Sequence, residues 1–171
     1  MLGIEAISDY DVQVPLGEVA KNTLHGIYQD DELTAKLLEL KEANGGSLDL
    51  VFYYKFGSDG SQGHPVFKQV LDDERYQGAC YASGFIAIQC VAKLQNGQVA
   101  ILYNNNLVNS SLSWRPLRLL FQKESTDLIK EEKERLDRQR NELEAEEYEL
   151  FEGITVKFRG YYTMCDMKGC V

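Results

Sequence analysis

Between residues 9 and 40 the apolar side chains return at a helical interval. Val19, Thr23 and Ile27, then Leu33, Leu37, Leu38 and Leu40, recur near a period of 3.6, the spacing that keeps them on one helix face. Pro15, with its fixed φ, predicts the start of the helical segment, and Asn44-Gly45-Gly46 predicts its stop. The period then changes. Leu48 to Phe56, LDLVFYYKF, is dense in aromatic and β-branched residues over a short length, which predicts a buried strand. Gly57-Ser58-Asp59-Gly60-Ser61 follows as a flexible apex.

After a polar loop through Tyr76, Gly84 to Leu94 (GFIAIQCVAKL) and Gln98 to Tyr103 (QVAILY) predict two strands joined at Asn96-Gly97. An Asn-Gly pair between two such runs signals a hairpin, here expected as a type I′ turn with positive φ at both central residues. Pro116 to Phe121 predicts a further strand. Asp127 to Leu150 predicts one long helix, with 15 charged residues among its 24 and apolar positions at Ile129, Leu136, Leu143 and Leu150. One apolar position per heptad is too narrow for a coiled coil, so the helix rests one edge on a sheet and is otherwise solvated, with Gly153 as its cap. Ile154 to Met164 (ITVKFRGYYTM) predicts a final strand running into Cys165-Asp166. Three antiparallel strands, a crossover helix and a fourth strand parallel to the first make an α/β chain with a mixed sheet, the opening order of an RNase H-like fold. The organisation expected is a helical segment over residues 1–46 and the sheet-bearing part of the fold over 47–171.

Composition narrows the picture. With 171 residues, 44% hydrophobic and 26% charged, the chain has the content of one globular domain. No stretch approaches the roughly 20 apolar residues of a membrane span, and Glu5 and Asp9 stand where a signal peptide would be basic and then apolar, so an intracellular protein is expected. Cys80, Cys90, Cys165 and Cys170 form no C-x-x-C pair and have only His25 and His64 to join them, which predicts free thiols rather than a zinc site. A formal net charge of −9 argues against a domain that holds DNA through phosphate contacts of its own.

The strand order gives two carboxylates significance. If the fourth strand lies parallel to the first and beside it, Asp59 and Asp166 emerge at one sheet edge. Carboxylates about 4 Å apart repel by roughly 1 kcal/mol even at the dielectric of water, so such pairs persist mainly where a cation neutralises them. Mg²⁺ or Mn²⁺ suits their oxygen donors, and a pair of such ions can activate water and stabilise a leaving 3′ oxygen. The plainer reading of the same residues is an Asp-Gly turn and a strand-end cap. Glu124 either reaches the same edge or opens the charged helix. His64 is a lone loop histidine, and Arg115, Arg118 and Lys123, near Trp114 and Phe121, form a short basic patch that either touches a nucleic-acid backbone or balances surface charge. Tyr53, Tyr54, Tyr161 and Tyr162 read as strand and core residues.

Four stretches in collinear order resemble the Transib transposases and the catalytic subunit of the V(D)J recombinase. KFGSDGSQGHPVFKQ is similar to the family's motif around its first catalytic aspartate, and NSSLSWRPLRLLFQKESTDLIKEEKERL to its Arg-Pro, apolar strand, Glu-Ser and charged helix. ITVKFRGYYTMCDMKG looks like the strand bearing the second aspartate, and DYDVQVPLGEVAKNTLHGI like the helical segment before the catalytic domain. The resemblance implies a nuclear DDE-type DNA nuclease and strand transferase. Such an enzyme cuts beside terminal inverted repeats with two divalent ions, as a homodimer or with related transposase subunits, and Asp59 and Asp166 would be its first two metal-binding catalytic carboxylates. The family's third carboxylate, a glutamate, lies far downstream of the second aspartate, whereas this sequence ends at Val171, so the polypeptide is expected to be inactive alone. The family's zinc-binding segment has no counterpart here, and Asp-Met-Lys stands where family members tend to read Asp-Gly-Lys. The competing readings are a non-catalytic, transposase-derived domain kept for binding, and an unrelated acidic adaptor built on the charged helix, in which the two aspartates would lie far apart.

Overall fold

In the computed structural model, which describes residues 5–8, 11–62 and 79–163, eight strands form one mixed sheet with three helices. The chain is thus α/β with a mixed sheet. The helical N-terminal pattern resolves into two helices, α1 (Leu16–Ile27) and α2 (Asp31–Ala43), preceded by two short strands, β1 (Glu5–Ser8) and β2 (Asp11–Gln13). The break between helices has a local cause. The Asp30 carboxylate accepts from the backbone N–H of Glu32 and Leu33, both at 3.0 Å, and starts a new helix three residues after the first ends. In α1 the buried set Leu16, Val19, Ala20, Thr23 and Leu24 follows the i, i+3, i+4, i+7, i+8 rule. Asn44, Gly45 and Gly46 close α2 as expected, both glycines at positive φ.

The central strand β3 (Leu48–Gln62) does not stop at Phe56. Its backbone continues through Gly57 to Gln62, antiparallel to β4 (Ala79–Lys93) in an unbroken register that sets Ser58 against Ser83 and Asp59 against Ala82, so the expected flexible apex is strand instead. The hairpin at Asn96-Gly97 is present, joining β4 to β5 (Val99–Asn104). Its turn differs from the one expected. Only Gly97 has positive φ, Gly97 N–H donates to Leu94 O, and Leu94 N–H donates to Gln98 O, the pattern of a type I turn closed by a glycine bulge. Asn96 avoids the left-handed region because its carboxamide oxygen accepts from Gln98 N–H at 2.9 Å instead. Strand β6 (Arg115–Leu120) pairs with the other half of the same β4 edge and with β2.

Helix α3 runs from Thr126 to Ala145, with Ser125 Oγ accepting from Leu128 N–H at its start, and buries Leu128, Glu132, Leu136 and Leu143. It is shorter than the charge pattern suggested. Residues 148–151 form strand β7 (Tyr148–Phe151), which turns at Gly153 into β8 (Ile154–Tyr162). Gly153 therefore caps a β-turn and not the helix. It sits at φ 72° with Gly46 O only 2.9 Å from where a Cβ would be, so no other residue fits. The sheet order is β1-β2-β6-β4-β3-β8-β7, with β8 parallel to β3 from Leu48↔Ile154 to Phe56↔Tyr162. One buried cluster joins α1, α2 and α3 to Leu50, Phe52, Tyr54 and Phe56 of β3 and Ile154, Val156 and Phe158 of β8, so all three helices cover the same face of the sheet. Among the described residues no helix is long and apolar enough to cross a membrane.

One tight point is Gly160, where an added Cβ would lie 2.5 Å from Cζ of Tyr54, itself fully buried and stacked on Phe85. Gly160→Ala is expected to lower the unfolding free energy by about 1–3 kcal/mol in urea titrations. The loss should shrink in a Tyr54→Leu background, and equal losses in the two backgrounds would rule out this contact as the cause.

Candidate functional site

The pairing of β3 with β8 directs both strands toward one edge of the sheet. Beyond the last register pair, Thr163 N–H donates to Phe56 O at 2.8 Å, and the Phe56 and Tyr162 rings meet edge to face at 5.6 Å. Asp59 lies in β3 three residues after Phe56. Asp166 and His64 lie outside the described residues. Because β6 is antiparallel to β4, its end at Leu120, opposite Tyr81, falls at the same edge, and half-buried Glu124 follows four residues later. Among the described residues no three His, Cys, Asp or Glu side chains are grouped as metal ligands.

Next to this edge the sequence reading missed a buried ionic cluster. Ser58, Ser83 and Arg118 stand side by side on β3, β4 and β6, all buried. Arg118 reaches back to β2, where its Nε and Nη2 donate to the two oxygens of Asp11 at 3.0 and 2.8 Å. Its Nη1 donates to Glu132 at 3.1 Å and to Glu131 at 3.2 Å. Glu132, fully buried on α3, also accepts from Ser83 Oγ at 2.5 Å and from Arg135 Nε and Nη2 at 2.9 and 2.7 Å. The cluster ties β2, β4, β6 and α3 together. Three carboxylates against two guanidiniums leave a single excess negative charge, and the guanidiniums occupy both oxygens of Asp11 and of Glu132.

Arg118 is therefore not part of a surface basic patch, and of the three cations proposed for a nucleic-acid backbone it is the one the fold consumes. The signal that could have found the cluster is Glu132 itself. It stands four residues from both Leu128 and Leu136 on the apolar stripe of α3, and a carboxylate on such a stripe requires a buried cation. Burial pushes the Glu132 carboxyl up, but the hydrogen bonds and charge of Arg135, with Ser83 and Arg118, more than offset it, and the net shift is downward. Burial likewise opposes the charge on Arg118, and Asp11 and Glu132 more than restore it.

Other chemistry-bearing groups are quiet. Burial raises the Cys80 thiol and pushes Cys90 up to about 11, the latter against a lowering hydrogen bond from Tyr28, so Cys90 is a protonated core residue near neutrality. A polar groove of about 540 Å³ between α1 and α3 holds Lys21, paired with Glu146 at 2.7 Å and lying 5.1 Å from the Tyr148 ring centroid, and His25, 2.5 Å from the Tyr148 hydroxyl. It has no buried nucleophile facing a base.

Removing one partner of the cluster leaves uncompensated buried charge, so Glu132→Ala is expected to cost about 3–5 kcal/mol of stability in denaturant unfolding. The depressed folded pKa of Glu132 means its stabilisation is full above the ordinary value of 4.5 and is lost as pH falls through the folded value. The unfolding free energy of the wild type should therefore fall more steeply below about pH 4.5 than that of Glu132→Gln, and parallel profiles would show that this carboxylate is not the titrating group.

Compared with known proteins, the chain matches no protein-family model and no curated protein sequence.

Proposed function

We propose that this chain carries the opening part of a metal-dependent DNA strand-transferase core of the Transib and V(D)J recombinase type, RNase H-like in fold. Asp59 and Asp166 are its first two metal-binding carboxylates. The observation that carries the reading is the parallel β3–β8 pair, which sends the strand holding Asp59 and the strand leading to Cys165-Asp166 out at one sheet edge. Carboxylate oxygens suit Mg²⁺ or Mn²⁺, and a two-ion site would polarise the scissile phosphate and stabilise the departing 3′ oxygen. Around it the chain's own residues do the positioning. The Glu132 cluster pins β4 through Ser83, opposite Ser58, one residue before Asp59. The DNA would be a terminal inverted repeat, held by elements other than these residues, and the protein nuclear.

A second reading, a non-catalytic binding domain of transposase descent, draws on a different observation. Arg118 is consumed inside the fold and the chain has a net charge of −9, so these residues offer little field for a phosphate backbone.

Two aspartates and water hold a hard ion weakly, because such sites normally add another acidic ligand or a substrate phosphate. Calorimetric titration of the 171-residue chain with Mn²⁺ is expected to show weak binding that Asp59→Ala and Asp166→Ala each abolish. A supercoiled-plasmid assay should show no nicking above background. Binding unchanged in both variants would remove the aspartates from the site. Robust wild-type nicking lost in both would show that the two carboxylates suffice.

A further inference from the structure

We infer that the cavity where β5 and β6 part along β4 is a binding site for a small phosphate group, held by Arg115, Tyr103 and Ser113. This goes beyond the proposed nuclease reading and does not depend on it. Strands β5 and β6 share one edge of β4. Strand β5 pairs with Gln89 to Lys93 and β6 with Tyr81 to Phe85, which leaves residues 86–88 between them. Asn105 bridges that gap, its N–H donating to Ile88 O at 2.9 Å and its Nδ2 to Ala87 O at 2.8 Å. Its Oδ1 accepts from Leu107 N–H at 2.8 Å and from Ser113 Oγ at 3.4 Å, so the segment that crosses from β5 to β6 is tied to one side chain. The cavity framed in this way has a volume of about 180 Å³ and is completed by α1.

The chemistry of the walls selects the ligand. A guanidinium and the hydroxyls of Tyr103 and Ser113 line the cavity, and no carboxylate does. Burial raises the Tyr103 hydroxyl, and the charge of Arg115 opposes that rise, so the guanidinium acts on the hydroxyl beside it. Among the described residues Arg115 forms no ion pair, whereas Arg118, Arg135, Arg140 and Arg159 each face an acidic partner. The reason lies in the sequence. Residues 94–114, which lead into Arg115, contain no Asp, Glu, Lys or Arg although 26% of the whole chain is charged, so no acid in that stretch competes for the guanidinium. An anion is what such a cation accepts, and the donors narrow its kind. The planar guanidinium fork satisfies two oxygens, as it does with a carboxylate. The two hydroxyls add further donors, which call for a third oxygen that a carboxylate lacks and a phosphate has. Size agrees, because the volume falls below the roughly 300–1,000 Å³ of sites for drug-sized ligands and suits a small ion or the end of a larger molecule.

The test is an amide NMR titration of the full 171-residue chain with inorganic phosphate, O-phosphoserine and acetate, at neutral pH and fixed ionic strength. Phosphate is expected to shift the Asn105, Ser113 and Arg115 amides along saturable curves in the millimolar range, the affinity of one cation in a chain whose net charge of −9 repels anions at longer range. Arg115→Gln should weaken binding roughly tenfold or more, and Tyr103→Phe about two- to tenfold. Arg115→Lys keeps the charge and loses the fork, so it should fall between wild type and Arg115→Gln. Lys93→Gln, at an exposed cation elsewhere on the sheet, should leave the curves unchanged. Tighter binding of O-phosphoserine than of inorganic phosphate would identify a phosphorylated molecule as the ligand, and equal or weaker binding the free ion. Acetate bound as tightly as phosphate would overturn the inference. So would shifts that never saturate, curves unaltered by Arg115→Gln, or an equal loss in Lys93→Gln.

Discussion

The parallel register between β3 and β8 is the constraint on which the rest of the structure depends. Parallel neighbours cannot be joined by a tight turn, so the chain must travel back to the starting end of the sheet before β8 can begin. Helix α3 makes that return, with Leu136 and Leu143 on the same core as Phe52, Tyr54 and Phe158 and Leu128 packed in a second cluster with Tyr81 and Leu120. The return also brings Glu132 over β4 and β6. The buried acid is thus a consequence of where the crossover must pass, and Arg118 and Arg135 are what make it tolerable there.

A buried ion pair seldom stabilises a fold relative to a well-packed apolar alternative, but it penalises wrong arrangements heavily. Here it selects a strand order. Asp11 can reach Arg118 only if β2 lies beside β6, and Glu132 can reach both Ser83 and Arg118 only if β4 and β6 are neighbours under α3. Strand β2 is three residues long, too short to define its place by ladder hydrogen bonds alone, and the bidentate Asp11–Arg118 contact supplies the missing specificity.

Legibility in the sequence followed the range of the interactions. The β4–β5 hairpin was readable because a turn depends on a few adjacent residues; only its type was misread, since the side chain of Asn96 satisfies Gln98 without taking positive φ. Strands β3 and β8 were readable because LDLVFYYKF is apolar along most of its length and ITVKFRGYYTM alternates apolar Ile154, Val156 and Phe158 with polar residues. Strand β7 was not. Glu146, Glu147 and Glu149 continue the charge pattern of the helix, and what ends the helix is distant: Tyr148 packs its ring on Phe158 and Glu146 pairs with Lys21. Arg118 was misassigned for the same reason, because its three acidic partners lie 107, 13 and 14 residues away. Of the proposed metal site, the alignment of the two strands was legible, while Asp166 lies outside the described residues.

The distribution of charge ties these features together. The chain is acidic overall, and its most buried guanidinium is spent on internal carboxylates, so Arg118 is withheld from any outside anion and the surface stays acidic. A surface of that kind repels phosphate and repels its own copies. Contact with another polyanion then requires something to cancel charge locally, and contact with another acidic protein requires a place where charge is absent. Divalent ions would meet the first need at the β3–β8 edge. Residues 94–114 carry no charge, and Val99 and Ile101 are exposed there. The β3–β8 edge lies on the sheet and not on the helices, because the helices cover one face and α3 alone carries seven acidic residues.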